Sequence, residues 1–519
     1  MPVDSVFTFA DEEEREICAF LSVSAAYGRG AHPVDVVETH IARVFLVGED
    51  AYKLRKRVHL RFVDFSTLHA RHAAAVREME INRPHAPNIY LGLVPIVRNE
   101  GRLQLGGRGE IVEWAVHMRR FPQEAVLSYR EEQGPLTEGL AKELADMVAR
   151  YHQDSPISEA CDGARIMAPV VDQLSGALDY GHAEVAARLV AAFERAAPLL
   201  TMRGNAGCVR RCHGDLHLGN IVLIDEVPVP FDALEFSEAL ATIDVLYDLA
   251  FLLMDLDARG DRQAANAVLN AYAAFEPVGG EIEGLACLPL FLACRAGVRA
   301  VVAMARTEQL AEEEQAELRA EIRRNAALAA AYLAPSPPLM IAIGGLSGTG
   351  KSTLAALLAA FIGPAPGALL VRSDVERKRL FGVPETQRLE RQHYRIGTAQ
   401  RVYSIVEDKA RRGLAAGQAI IVDAVFAKQD ERAAVEAIAR EAGCAFVGLW
   451  LTAPAEMLIA RVERRRGDAS DADRRVVREQ LGYDLGDIAW QQVDASGTPE
   501  HSLAETRRAL AAAGITAVE

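Results

Sequence analysis

The chain is poor in cysteine and in aromatic residues, with 7 cysteines in 519 positions and aromatics at 6%. So sparse and odd a set of thiols argues against a disulfide-stapled scaffold and points to a reducing, cytoplasmic setting. Basic residues are also in deficit, 57 Lys and Arg against 72 Asp and Glu, for a formal net charge of −15. That balance argues against a nucleic-acid partner or a basic membrane-surface protein, while leaving room for a local basic groove. The first residues, MPVDSVFTFADEEEREI, carry neither the basic nor the apolar segment of a secretory signal. An uncharged stretch, Ala326–Gly350, has the length of a membrane span. Pro335, Pro337 and Pro338 interrupt it and its end is glycine-rich. It reads as a helix end, a linker and a loop, and no membrane partner is expected.

What remains is ordinary globular material, 50% hydrophobic and 25% charged, sufficient for more than one domain at ~100–200 residues each. The proline-rich seam at 334–338 predicts a linker between domains 1–333 and 339–519. Before it, a charged helix is expected from Arg306 to Leu333. Glu308, Glu312, Glu313 and Glu314 come early and Arg323 and Arg324 late, as the helix dipole prefers. After the seam, strand signals at Leu339–Ile343, Ala368–Val371, Ala419–Val422 and Phe446–Leu451 alternate with helical stretches such as Ser352–Ile362. Such alternation predicts an α/β domain with a parallel sheet. The N-terminal part is of another kind. A hairpin (Val44–Val47, Ala51–Leu54) precedes a helix (Ser66–Arg83) and two strands (Gly92–Val97, Ile111–Met118). From Thr137 the pattern is mostly helical, with Leu140, Leu144, Met147, Val148 and Tyr151 on one face. An α+β arrangement follows, a small sheet lobe and then a helical lobe.

The most specific motif is Gly345-Leu-Ser347-Gly348-Thr349-Gly350-Lys351-Ser352, a G-x-x-x-x-G-K-[ST] loop between a strand and a helix. Glycines let backbone N–H groups close on phosphate oxygens, and the new helix presents its positive end, Thr353 included. Lys351 adds charge at the outer phosphates and the Ser352 hydroxyl can hold Mg²⁺. Asp374 lies just past the second strand, at the carboxyl edge where such sheets bind ligands. It is a candidate base for a hydroxyl acceptor, with helix capping as the structural alternative. Asp423, at the end of the third strand, acts through Mg²⁺ or substrate, or is purely structural. Arg461, Arg464, Arg465 and Arg466 precede Gly467 and form either a lid over ATP or a solvated helix face. With these pieces and Arg377, the C-terminal half resembles the small P-loop kinases of the gluconate kinase, zeta-toxin and polynucleotide 5′-kinase type.

The second strong signal is His213-Gly214-Asp215-Leu-His217-Leu-Gly-Asn220, followed by a strand at Ile221–Ile224 and then Phe231-Asp232. A D-x-x-x-x-N loop, a strand and an acid form the kinase arrangement. Asp215 would orient and deprotonate an acceptor hydroxyl, and Asn220 and Asp232 would supply oxygens for Mg²⁺ on ATP. Residues 30–330 resemble the aminoglycoside phosphotransferase and choline kinase-like family, which implies a two-lobed protein-kinase-like fold. Within that resemblance, Ala51-Tyr52-Lys53 matches the third-strand A-x-K. Period-two geometry puts Ala51 against adenine and Lys53 toward phosphate, with Lys56 on the opposite face. Glu78 is the expected partner of Lys53. Glu80 is the competitor, ~200° around the helix, so both cannot point the same way. Met118 falls where the family's lobe connector contacts adenine, and Asp248 matches the acid that braces the catalytic loop.

The chain departs from the family in lacking a G-x-G-x-x-G over the phosphates, where it reads Val37-Glu38-Thr39-His40-Ile41. No acidic acceptor-binding loop for polycationic drugs is identifiable. Cys208, Cys212 and His213 fall short of a zinc set, and His393 and Tyr394 read as helix surface. Both halves together resemble bacterial tandem phosphotransferase-like/ATP-binding proteins. The expected function is transfer of the γ-phosphoryl group of ATP, with Mg²⁺, to a hydroxyl of a small-molecule acceptor. The alternatives are that one domain is a nucleotide-sensing pseudokinase, or that the C-terminal one is a nucleic-acid 5′-hydroxyl kinase.

Overall fold

The computed structural model describes residues 9–28, 33–60, 63–159, 162–307, 315–465 and 467–515. Its contacts define two compact units. One holds residues 1–135, 154–159 and 209–248; the other holds 136–153, 160–208 and 249–519. The proline segment 334–338 lies inside the second unit.

The first unit is built on a six-stranded antiparallel sheet. Its order is Val34–Glu38, Ala42–Val47, Asp50–Arg55, Glu110–Arg119, Tyr90–Asn99, Arg102–Leu105. The expected hairpin is its centre, with Val44 opposite Lys53. Two flanking strands, Val34–Glu38 and Arg102–Leu105, go beyond the sequence reading. The helix Glu12–Leu21, unforeseen as well, buries Ile17, Cys18 and Leu21 against Phe45, Tyr52, Leu54 and Ile96 of the sheet. The helix Leu68–Asn82 begins at Thr67, whose hydroxyl accepts from the Ala70 N–H at 3.2 Å. Its buried side, Arg71, Ala74, Ala75, Glu78 and Asn82, keeps helical spacing, so a carboxylate is carried into the interior. The hairpin Ile221–Ile224 and Val227–Pro230 closes the catalytic-loop region.

The second unit contains long helices, among them Glu138–Asp154, Gly163–Asn205, Arg262–Phe275 and Leu288–Thr307. The expected helix Arg306–Leu333 is observed differently. Arg306 sits in the last turn of Leu288–Thr307, and Gln315–Tyr332 is a separate helix. Glu308, Glu312, Glu313 and Glu314 lie outside the described residues. The helical stretch Glu281–Thr307 has the length and apolarity to cross a membrane, but 67% of an apolar 18-residue segment within it is buried inside the fold. Its residues Cys287, Phe291 and Cys294 are fully buried.

The remainder of this unit is a five-stranded parallel sheet ordered Leu369–Arg372, Ile420–Asp423, Leu339–Gly344, Ala445–Thr452, Gln491–Asp494. The four expected strands are present and the fifth completes the edge. The strand Leu339–Gly344 is buried throughout and central. The loop that follows it therefore opens at the carboxyl edge, between neighbouring strands, where parallel sheets bind ligands.

Candidate functional sites

In the first unit the catalytic-loop motif is braced from below. Asp248, fully buried, accepts from the N–H of His213 at 3.1 Å and of Gly214 at 2.8 Å. The His213 ring accepts from the Asp215 N–H at 3.3 Å through Nδ1 and faces the Phe231 carbonyl at 3.0 Å through Nε2. Asn220 donates from Nδ2 to both the backbone carbonyl and Oδ2 of Asp215, each at 2.9 Å. The Asp215 carboxylate is thus aimed by its neighbours while 40% of its side chain stays exposed.

Lys53 meets Glu78 Oε1 at 2.8 Å and also contacts Asp232. Glu80 instead pairs with Arg77 on the outer side of the helix at 3.0 Å. Lys56 turns to Glu38 and to the Thr39 carbonyl. Burial would lower the pKa of the Lys53 ammonium, but Asp232 and then Glu78 outweigh it and push it up. Burial would likewise raise Asp232; Lys53 and then Arg55 hold its carboxyl below the usual range. The Asp232 backbone is left-handed at φ 59°, and its N–H donates to the Tyr90 hydroxyl at 3.0 Å. Ala51 is paired with Met118 in the sheet register.

Two residues missed by sequence reasoning complete this cluster. Arg55 is buried between Glu78 and Glu235, 2.6 Å from the latter. Glu78 therefore serves two cations, and Glu235 balances the second. Arg55 lies two residues after Lys53 on the same strand face, which was a usable signal; Glu235 had none. Where the family has its glycine loop, Thr39–Ile41 form a short turn between strands. The Thr39 N–H donates to the Ala42 carbonyl at 2.9 Å, and the Thr39 hydroxyl accepts from the Ala42 N–H at 3.0 Å. Cys208 and Cys212 are buried, each with its thiol toward a backbone carbonyl.

In the second unit, the loop Gly345–Gly350 leads into the helix Lys351–Ala359. Gly348, at φ 88°, lies so close to the helix Ala455–Arg464 that a Cβ would sit 2.6 Å from the Leu458 carbonyl oxygen. Lys351, buried, donates from Nζ to the Leu346 carbonyl at 3.0 Å. Burial lowers its pKa, against the pull of Asp423 and Asp374. The Ser352 hydroxyl donates to Asp423 Oδ2 at 2.6 Å. Ser347, Thr349, Ser352, Thr353, Asp374 and Asp423 all line a cavity of about 410 Å³.

Asp374 is the second residue of the helix Ser373–Leu380 and makes no cap, so the capping alternative does not hold. Burial pushes its carboxyl up; the Ser470 hydrogen bond opposes this and Asp423 adds to it. Arg377 is 8% exposed. It lies 4.7 Å from the Tyr394 ring and 3.4 Å from the His393 carbonyl, and it makes no ion pair among the described residues. His393 and Tyr394 are on a short 3₁₀ turn, Arg391–Tyr394, rather than a helix surface. The Tyr394 hydroxyl donates to Asp471 at 2.6 Å.

Arg461, Arg464 and Arg465 line the same cavity; Arg466 lies outside the described residues. Arg461 donates to the carbonyls of Gly497 at 2.9 Å and Thr349 at 3.5 Å. Arg465 faces Asp468 at 3.3 Å. The sequence reading passed over Arg372, which lies 3.4 Å from Asp423 and 3.1 Å from Asp468. It also passed over Gln480, whose side-chain oxygen accepts from the Ser347 N–H at 2.7 Å. Arg372 adjoins the Asp374 motif and could have been found there; Gln480 carried no signal.

A family described as phosphotransferase enzyme family matches residues 37–285, and one described as AAA domain matches residues 340–483. Both halves are kinase-like. An uncharacterized protein of Mycobacterium tuberculosis is 29% identical over 501 residues, covering 92% of this chain and 96% of that one. Among solved structures, a choline/ethanolamine kinase family protein from Mesorhizobium loti is 14% identical. It covers 62% of this chain and 95% of its own, with a TM-score of 0.40. A gluconokinase from Sinorhizobium meliloti is 19% identical, covering 34% and 95%, with a TM-score of 0.25. The N-terminal half resembles the aminoglycoside phosphotransferase and choline kinase-like family, and the C-terminal half the small P-loop kinases. At the level these matches reach, the chain is a kinase or phosphotransferase.

Proposed function

We propose that the chain carries two ATP–Mg²⁺ sites and that each transfers the γ-phosphoryl group to a hydroxyl of a small-molecule acceptor. The observation that carries this reading is Lys53 held between Glu78 and Asp232, with Asp215 on a braced loop in the same unit. The donor sets fit a divalent ion. Lys53 and Arg55 against Glu78, Glu235 and Asp232 leave one negative charge, and Asp215 adds a second. That surplus of carboxylate oxygen suits a divalent cation. Asn220 and Asp232 would hold Mg²⁺ in the first site, Ser352 and Asp423 in the second. The ion supplies neutralisation of phosphate charge when bound.

Asp215 takes the proton of the acceptor hydroxyl as its oxygen bonds to the γ-phosphorus and the bond to ADP breaks. Asp374 plays that part in the second site, where its raised pKa suits a base. Lys53 and Lys351 hold the outer phosphates, and the N–H groups of Gly348 and of residues 350–353 cradle them, the Ser347 N–H being held by Gln480. Met118 contacts adenine in the first site. Arg461 and Arg465 close over ATP, and Arg377, held by the His393 carbonyl and the Tyr394 ring, would meet the acceptor. The sparse, odd set of seven cysteines supports a cytoplasmic setting.

The test is a screen of hydroxyl acceptors with γ-labelled ATP, covering sugars, amino alcohols, aminoglycosides and an oligonucleotide with a free 5′-hydroxyl. Asp215→Ala and Lys351→Ala are assayed beside the parent protein. Two labelled products, each lost in one variant, are expected. A single product lost in only one variant would make the other domain a sensor, and labelling of the oligonucleotide would replace the small-molecule acceptor.

A further inference from the structure

The strand Leu369–Arg372 is the outer strand of the parallel sheet, and its inner side is paired in register with Ile420–Asp423. An outer strand normally leaves alternate peptide groups without a partner. Here a helix from the N-terminal half of the chain supplies one. From the helix Arg262–Phe275, Asn270 accepts the Leu370 N–H on Oδ1 at 2.6 Å and donates from Nδ2 to the Ala368 carbonyl at 3.1 Å. Asn266, 4% exposed, donates to the same carbonyl at 3.1 Å. One side-chain amide thus reproduces the donor and acceptor of a neighbouring strand.

The turn before the strand is crowded on two sides: Gly367 holds φ 128°, and a Cβ there would meet the Ala359 carbonyl oxygen and Ala360 Cα at 2.7 Å as well as Asn266 Nδ2 at 2.8 Å. Two residues beyond Leu370, Arg372 reaches Asp423 and Asp468; two further on, Asp374 lines the phosphate-loop cavity.

We propose that Asn266 and Asn270 are positioning residues for the P-loop site: by fixing the outer strand they set where Arg372 and Asp374 stand relative to the phosphate loop. This rests on the nucleotide reading of that site. It assigns to a helix of the phosphotransferase-like half a part in the geometry of the other half's pocket. The phosphate loop itself follows the central strand, away from this contact. Nucleotide affinity is therefore expected to be spared while transfer suffers.

The experiment uses full-length protein with Asp215→Asn as background, Mg-ATP as the probe and water as acceptor. Lys351→Ala in that background identifies the turnover that belongs to the P-loop site. Adding Asn266→Ala and Asn270→Ala together is expected to lower kcat at least about fivefold, with KM for ATP within about twofold. Asn270→Asp alone keeps an acceptor for the Leu370 N–H but turns a carboxylate oxygen toward the Ala368 carbonyl, so a rate between those of the parent and the double variant is expected. A kcat lowered by less than fivefold, or a kcat, KM and melting temperature that deteriorate together, overturns the proposal. Turnover indifferent to Lys351→Ala overturns the nucleotide reading and the proposal with it. That failure is visible before any asparagine is changed.

Discussion

The two sites proposed to hold a triphosphate are built from different materials. In the first unit the work is done by side chains: Lys53 is already engaged by two carboxylates, and Arg55 shares one of them with Glu235. In the second it is done by the backbone. A glycine-rich turn opens a helix, and its lysine, with no carboxylate in contact among the described residues, rests on the carbonyl of Leu346. The first lysine is therefore locked into an ion-pair cluster. The second is a desolvated charge that feels Asp423 and Asp374 only at a distance. Removing one partner of a paired buried charge is costly, whereas a buried lysine held only by a carbonyl gives up little when it is replaced.

The largest effects should come from breaking one site at a time. Lys351→Ala and Asp215→Ala are each expected to cut transfer at their own site by on the order of 10³-fold and leave the other product intact; product-resolved initial rates check this. Stability sharpens the contrast. Lys53→Met strands Asp232 and leaves Glu78 with one cation, at a cost of about 3 kcal/mol. Lys351→Met removes a buried charge that has only a carbonyl partner and should change stability by less than about 1 kcal/mol. Urea unfolding of both variants, followed in each unit by hydrogen exchange, tests the difference. Equal losses would erase the distinction between the two lysines.

Proton dependence comes next. Burial raises the Asp374 carboxyl, and its basic form is the ionised one. Transfer at the second site should therefore fall about tenfold per pH unit below that pKa. The acid limb should lie above the ordinary aspartate range, read as a pH–rate profile in Asp215→Ala protein. The smallest effect is expected where Gln480 meets the phosphate loop. Gln480→Ala leaves the Ser347 N–H without its acceptor, worth about 1 kcal/mol, or roughly a fivefold higher KM for ATP at the second site. An unchanged KM would mean that the hold of Gln480 on the loop has no bearing on nucleotide.

Much of this contrast was legible before any fold was known, and for the same physical reason. A backbone cradle needs closely spaced glycines, so Gly345–Ser352 could be read in one glance. The first site is scattered, with Lys53 and Asp232 lying 179 positions apart. It was still traceable because Lys53 matches the third-strand A-x-K of the resembled family, which implies a helical glutamate partner such as Glu78. What escaped were residues whose partners come only from tertiary packing. Glu235 meets Arg55, Arg372 bridges two aspartates, and Gln480 reaches the loop from a helix 133 positions away. The outer strands Val34–Glu38 and Gln491–Asp494 were missed because short, half-exposed strands carry weak periodicity. The charged helix was read as one piece from Arg306 because charge ordering alone does not mark a terminus; the described helices are Leu288–Thr307 and Gln315–Tyr332.

The asparagine contact on the outer strand also bears on how the molecule tolerates being cut. A fragment beginning at residue 339 would lose the helix Arg262–Phe275 and bare the peptide groups of Ala368 and Leu370 along a flat, apolar rim. Such rims recruit one another, so the fragment should self-associate and precipitate where the intact chain stays dispersed. Fusing the two halves in one polypeptide thus also acts as a safeguard against clumping.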